Sequence, residues 1–327
     1  VIVGESGYSK KAHGLYKEKQ LRESIHKWLF LPDPSLNHNI ARGAHHEGTT
    51  AWFFEKIFRK WKPVPKTTET GSLLWIYGKR ASCSTASPTT SDSNCISSWF
   101  RQEHPMVRGS FINPSELPMS SVSSSIIEYI AAIAATSEAL LAYFYFYFRN
   151  VNKQHLHDLI PSLLIQFSAH LGPRCDILLH LYEEHDSGKR QPSDHALVTC
   201  LKGMLFTVSM QACPIYLVMD ALDECPDTFG IPSPRERVLK LVKELVELPL
   251  PSLHIIVTSR PEVDIWDVLI HLKPLQVCLH DQEGQKADIR GYVESIVSSD
   301  SEQIMRRWSA KHKKDVIDEL SKRANGM

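Results

Sequence analysis

Asp220, Asp223 and Glu224 stand directly behind an apolar run, in Pro214-Ile215-Tyr216-Leu217-Val218-Met219-Asp220-Ala221-Leu222-Asp223-Glu224. A buried strand that ends in an aspartate, followed by a small residue and a second acidic pair, sets carboxylates at the carboxyl edge of a parallel sheet. Ligands of open α/β folds bind at that edge. Asp220 can there hold Mg2+ through its water shell, and Asp223 or Glu224 can orient or deprotonate an attacking water. The plain alternative is a strand followed by an acidic, solvated turn. About 30 residues later, Leu253-His254-Ile255-Ile256-Val257-Thr258-Ser259-Arg260-Pro261-Glu262 carries a second apolar run to two hydroxyls and a guanidinium. Thr258 and Ser259 are candidate ligand contacts, and Arg260 can meet a terminal phosphate or sense its loss. A helix start with Arg260 paired to Glu262 is the competing reading, and Pro261 enforces a turn in either case.

Residues of this kind need a rigid edge to stand on. Leu73 to Tyr77, Ala142 to Phe148, Ile215 to Met219, His254 to Thr258 and Leu275 to Leu279 read as short strands buried on both faces. The aromatic run Tyr143 to Phe148 is counted with them as strand rather than as a base-stacking surface. Helix-period stretches lie between, as in Pro234 to Leu248, where Val238, Leu241, Val242, Leu245 and Leu248 recur at three and four residues. Strand and helix alternating in this way imply an α/β sheet with right-handed crossovers. Residues 1–70 read as a polar helical lead-in anchored by Trp28, Leu29, Trp52, Phe53 and Phe54. From Ala81 to Ser125 the pattern breaks down: 14 Ser, 3 Thr and 4 Pro fall among 45 residues with five charges, and no period of 2 or 3.6 persists.

Composition narrows the class. The 327 residues are 43% hydrophobic and 23% charged, enough for a sizeable core, and 37 basic residues balance 37 acidic ones. Without a basic excess, neither nucleic acid nor an anionic membrane is an expected partner. Seven cysteines, an odd number without a C-x-x-C pair, fit a reducing interior better than a disulfide framework or zinc ribbon, so a cytoplasmic location is expected. The most apolar segment, Ile126 to Phe148, is interrupted by Glu128, Ser137 and Glu138, which argues against a membrane span. His46-Glu47-Gly48-Thr49-Thr50 approaches H-E-x-x-H but lacks the second histidine. Lys10, Lys11, Lys17, Lys19 and Arg22 read as a solvated helix face. The start at Val1 and the end at Met327 suggest a piece of a longer chain.

The two strand motifs, in this order and at this spacing, resemble the Walker B and sensor strands of NACHT-type signal-transduction NTPases, the STAND group of the P-loop superfamily. Other stretches resemble the fungal NACHT proteins, with the nephrocystin-3-like N-terminal domain as the nearest family. They are Trp28-Leu29, Pro32-Asp33-Pro34-Ser35, Asn37-His38-Asn39, Gly48-Thr49, Trp52-Phe53, Gly71 to Lys79, Tyr143 to Phe146, Leu163-Leu164-Ile165-Gln166 and Ala221 to Cys225. The resemblance implies a three-layer ASCE-type core at 71–327 with sheet order 5-1-4-3-2 behind the lead-in, and a ligand of ATP or GTP with Mg2+. Asp220 would position the metal, Asp223 and Glu224 would activate water, and Arg260 would sense the γ phosphate. It also implies self-association through this module, with helical arm and repeat domains beyond Met327.

One motif departs from that family. A phosphate loop reads G-x-x-x-x-G-K-[ST], with glycines for close backbone approach, a lysine for the β and γ phosphates and a hydroxyl for Mg2+. Here Gly78-Lys79-Arg80-Ala81-Ser82-Cys83-Ser84-Thr85 keeps Gly78 and Thr85 at its ends but places Cys83 and Ser84 where the second glycine and the lysine belong. Ser84 has neither the charge nor the reach, so turnover and much of the affinity are expected to be lost. The following helix, from Val122, arrives roughly 35 residues late, which marks an insert at about 81–121. A retained intron or shifted reading frame would leave such a run, as would a true pseudo-NTPase. The expected function is a degenerate nucleotide-binding module of a signalling or self/non-self recognition switch; the alternative is a non-enzymatic interaction scaffold that binds no nucleotide.

Overall fold

The computed structural model describes residues 19–29, 34–43, 49–61, 72–78, 118–171, 176–211, 213–228, 230–298 and 308–324. Thr85, the expected phosphate-loop positions after Gly78, and the insert up to residue 117 lie outside them. Five parallel strands, β1 (Ser72–Tyr77), β2 (Leu140–Tyr145), β3 (Ile215–Asp220), β4 (Leu253–Ser259) and β5 (Leu275–Cys278), form one sheet in the order β2-β3-β4-β1-β5. This is the expected order 5-1-4-3-2 read from the other edge.

Strands β1 to β4 are largely apolar on both faces because each face is covered, whereas the edge strand β5 leaves Leu275 and Gln276 exposed. In β3, Ile215, Leu217 and Met219 point into one layer while Tyr216 and Val218 point into the other. The first layer is built by α5 (Leu156–Leu171), α7 (Asp194–Ser209) and α8 (Pro234–Val246), the second chiefly by α4 (Pro118–Ala134) and a helical stretch, α3, over 51–61. The middle turn of α3, Phe54–Phe58, is π-helical. Helix α8 starts where the sequence suggests: Pro234 follows the N-cap Ser233, which forms a reciprocal capping box with Glu236, and Val238, Leu241, Val242 and Leu245 are its buried stripe. The remaining helices are α1 (19–28), α2 (Pro34–Gly43), α6 (Asp176–Glu184), α9 (Val263–Leu269), α10 (Glu283–Ser298) and α11 (Ala310–Ala324). Among the described residues no helix is long and apolar enough to cross a membrane.

The expected second strand needs a correction. It runs from Leu140 to Tyr145 rather than Ala142 to Phe148, because its neighbour β3 ends at Asp220, opposite Tyr145. Phe146 N–H makes the last bond to β3, at the Asp220 carbonyl (3.0 Å), and beyond it the backbone turns to another acceptor, Tyr147 N–H donating to the Lys153 carbonyl (3.0 Å). Phe148 lies 56% exposed with the Arg149 guanidinium over its ring. On the outer edge of β2, the Gln166 side-chain amide takes the place of a strand: its Oε1 accepts from Tyr143 N–H (2.9 Å) and its Nε2 donates to the Tyr143 carbonyl (2.8 Å).

Three tryptophans of the lead-in are among its docking points. Trp28 Nε1 donates to the Arg190 carbonyl (2.8 Å) ahead of α7. Asp288 of α10 accepts from Thr50 N–H (2.7 Å) and Trp52 Nε1 (2.9 Å), and Gly284 leaves the room that the Trp52 ring occupies. Trp61 closes the second layer near the amino ends of β3 and β4, its ring 5.6 Å from His254 and 6.4 Å from Tyr216. Trp61 Nε1, Tyr216 Oη and His254 Nε2 are buried without a hydrogen-bond partner among the described residues. Burial lowers the His254 pKa to about 4, so its ring is neutral, and Nδ1 lies 2.7 Å from Ser72 Oγ.

Candidate functional site

Asp220, the last residue of β3, is 2% exposed. Its Oδ1 accepts from Thr258 Oγ1 (2.5 Å) and from Ser123 Oγ of α4. Burial pushes the carboxyl upward against the pull of those two hydroxyls, since a carboxylate is stabilised by donors and destabilised by leaving water. Thr258 also accepts from Ala221 N–H (2.9 Å), so one hydroxyl joins the ends of β3 and β4. Ala221 then takes a left-handed conformation (φ 55, ψ 49), a tight reversal that a small side chain tolerates better than a β-branched one. It turns the chain into the single 3-10 turn Leu222–Glu224, pinned beneath by the fully buried Leu222.

That turn brings the acidic pair to the sheet edge. Asp223 Oδ1 accepts from Arg260 N–H (2.9 Å), and its Oδ2 lies 3.5 Å from the Arg260 guanidinium, which is itself 71% exposed. Glu224 Oε2 accepts from Phe148 N–H (3.0 Å). Burial, assisted by the charges of Asp223 and Asp220, raises Glu224 to about 7, opposed by the Phe148 donor and by Arg260. A carboxyl that titrates near neutrality can take up or release a proton at physiological pH. Beneath the turn lies Arg235 of α8, 7% exposed. Its Nη2 donates to the Asp223 carbonyl (2.7 Å), its Nε to the Cys225 carbonyl (2.8 Å), and its Nη1 to both Asp264 oxygens of α9 (3.3 and 3.2 Å).

Of the residues singled out from the sequence, Asp220 contacts Thr258 and Asp223 contacts Arg260, and Glu224 stands among their charges. Ser259 is set apart. Side chains alternate along a strand, so where Thr258 faces α4 and Asp220, Ser259 faces the opposite layer, fully buried, and accepts from Trp75 Nε1 (2.9 Å). Gly78 closes β1 beside Tyr77, which pairs with Ser259. It borders a cleft of about 430 Å³ that Tyr77, Pro261, Trp266, Asp267 and Asp281 also line. The described lining offers carboxylates and no cation.

Ser123 and Arg235 belong to the site yet carry no motif. A run of hydroxyls, Ser123-Ser124-Ser125, buried in an otherwise apolar helix was the available sign for the first. For the second it was an arginine in the first turn of a helix, where the helix dipole disfavours a cation. Among the described residues no group of three or more His, Cys, Asp or Glu is placed to share a metal ion. No curated protein and no solved structure matches the chain. The segment from α4 through Arg260, which carries Ser123, Asp220, the acidic turn and Arg235, does have a match: residues 120–260 fit the family model Nephrocystin 3, N-terminal.

Proposed function

We propose that the chain is the nucleotide-binding module of a NACHT-type switch of the STAND group whose phosphate loop has degenerated. The observation that carries this reading is Asp220, a carboxylate buried at the carboxyl end of a central parallel strand and held by hydroxyls from the sheet and from α4. Asp220 would hold Mg2+ of a bound ATP or GTP through the ion's water shell. The ion would neutralise phosphate charge. Asp223 and Glu224 stand where a water could be oriented or deprotonated, and Arg260, exposed beside Asp223, can swing toward a terminal phosphate. With Cys83 and Ser84 in place of glycine and lysine, turnover is expected to be slow and affinity weak. In a cytoplasmic signalling or self/non-self recognition protein, such a module would work as a switch that associates with copies of itself, linked to helical arm and repeat domains.

One observation favours a second reading, a scaffold that binds no nucleotide: the cleft beside Gly78 presents Asp267 and Asp281 and no cation among its described lining. Titration of the chain with fluorescent ATP and GTP, with and without Mg2+, separates the two. The switch predicts Mg2+-dependent binding that Asp220→Asn weakens by about tenfold or more, roughly 1.4 kcal/mol. Absence of binding to the wild-type chain at millimolar nucleotide would leave the scaffold.

A further inference from the structure

His38 of the lead-in helix α2 makes contacts that an appended helix does not need. Its ring is buried, with Nδ1 3.0 Å from Tyr145 Oη and Nε2 2.8 Å from Glu128 Oε1. A carboxylate only accepts, so Nε2 carries a proton, and in the neutral ring Nδ1 accepts from the Tyr145 hydroxyl. Its two partners lie on two of the elements that flank Asp220, β2 and α4. Tyr145 is the last residue of β2, paired in register with Asp220, and the next amide, Phe146 N–H, donates to the Asp220 carbonyl. Glu128 lies on α4, the helix whose Ser123 donates to the Asp220 carboxylate. Neighbouring residues of α2 extend the attachment: Asn37 Oδ1 accepts from the buried Lys153 Nζ (3.0 Å) just after β2, and Arg42 lies 3.7 Å from Glu128.

We propose that α2 is a clasp on the Asp220 edge and that His38 is its pin, a positioning residue that couples the docking of the lead-in to the geometry around Asp220. A ring bonded at both nitrogens to two different elements fixes their separation, which a contact to either one alone would not do. The coupling is reciprocal: loosening the β2 end must loosen α2 as much as loosening α2 disturbs the β2 end. Its bearing on ligand affinity rests on the nucleotide reading above; the coupling itself does not, and it is tested without any ligand.

Amide hydrogen exchange on the whole chain at constant pH reads it residue by residue. His38→Ala is expected to speed exchange by about tenfold or more within 34–43 and also at Phe146, at Ala221 and in α4 from 122 to 130. His38→Gln, which can still accept from Tyr145 and donate to Glu128, should return these rates to within about threefold of wild type. Tyr145→Phe, which removes one hydroxyl and little packing, should speed exchange in α2. Acceleration confined to 34–43 in His38→Ala, or an unchanged α2 in Tyr145→Phe, overturns the proposal. Should His38→Ala fail to fold, the reciprocal Tyr145→Phe measurement still decides. If exchange behaves as expected while no nucleotide binds, the clasp stands and the nucleotide reading falls.

Discussion

Replacement of Arg235 by alanine should destabilise the chain far more than loss of any exposed arginine. The guanidinium is 7% exposed and donates to two backbone carbonyls, those of Asp223 and Cys225, at 2.7 and 2.8 Å. Its third arm reaches Asp264, whose side chain is 40% exposed. A charge-assisted hydrogen bond contributes about 1.5–3 kcal/mol, and the two carbonyls cannot find replacement donors in a packed turn. The Asp264 pair, partly open to water, adds at most about 1 kcal/mol. Against this, removing a cation from the first turn of α8 returns about 0.3–1 kcal/mol. The net expectation for Arg235→Ala is a loss of about 3–4 kcal/mol, or roughly 10 °C in Tm for a domain of this size. Arg235→Lys keeps the charge but can serve only one carbonyl well, so it should recover about a third to a half. Arg260→Ala is the control: its side chain is 71% exposed and its backbone N–H still holds Asp223, so stability should stay within about 0.5 kcal/mol. Urea denaturation of the four proteins supplies the comparison. A loss below about 1 kcal/mol for Arg235→Ala, or a lysine variant indistinguishable from wild type, would refute the claim that the fork holds the acidic turn.

Three further outcomes follow from the same structure. Tyr216→Phe removes a buried hydroxyl that has no hydrogen-bond partner among the described residues, and chemical denaturation should show a change between neutral and about 1.5 kcal/mol of stabilisation; a loss above about 1 kcal/mol would mean the hydroxyl is bonded. Glu224, with an ordinary value of 4.5, is raised to about 7. Between those values the unfolded chain releases a proton that the folded chain keeps, so stability falls as pH rises through the window and levels off above it. Glu224→Gln removes that slope, and its advantage over wild type should grow by about 1–2 kcal/mol from pH 4.5 to pH 7.5, a figure reduced for partial exposure. Gly284→Ala would place a methyl inside the space of the Trp52 ring, and tryptophan-monitored denaturation should show a loss of about 1–3 kcal/mol, with Thr50 and Trp52 released from Asp288.

The strands were legible because each is a short apolar run, and α8 because its stripe and its proline-led start agree. The order of the strands was not legible from the residues themselves; it came from the family resemblance, since any apolar strand can pair with any other. The end of β2 was misplaced for a physical reason: Phe146 to Phe148 have strand-forming side chains, but a strand stops where its neighbour stops, and that is a property of β3. At the site, the carboxyl edge with Asp220 could be read, but the motif offers both Thr258 and Ser259 as ligand contacts, although the two-residue period of a strand sends them to opposite faces. What Ser123, Arg235 and His38 would meet could not be read. Their partners lie 97, 29 and 107 residues away in the contacts to Asp220, Asp264 and Tyr145, and no local pattern records such distances.

The Gln166 amide that lies along the outer edge of β2 sets a limit on how this protein can meet other chains. By occupying both backbone groups of Tyr143, it withholds the pair of bonds that an incoming strand would need to zip onto the sheet at its middle. Extension of the sheet from this side, whether by a peptide laid in as a further strand or by edge-to-edge joining of two copies, has to displace that amide first. On this side of the sheet, encounters with other chains are thereby directed to helical and loop surfaces, where specificity rests on side chains rather than on the backbone pairing that any polypeptide can offer; among the described residues, the outer edge of β5 is the one left for strand addition.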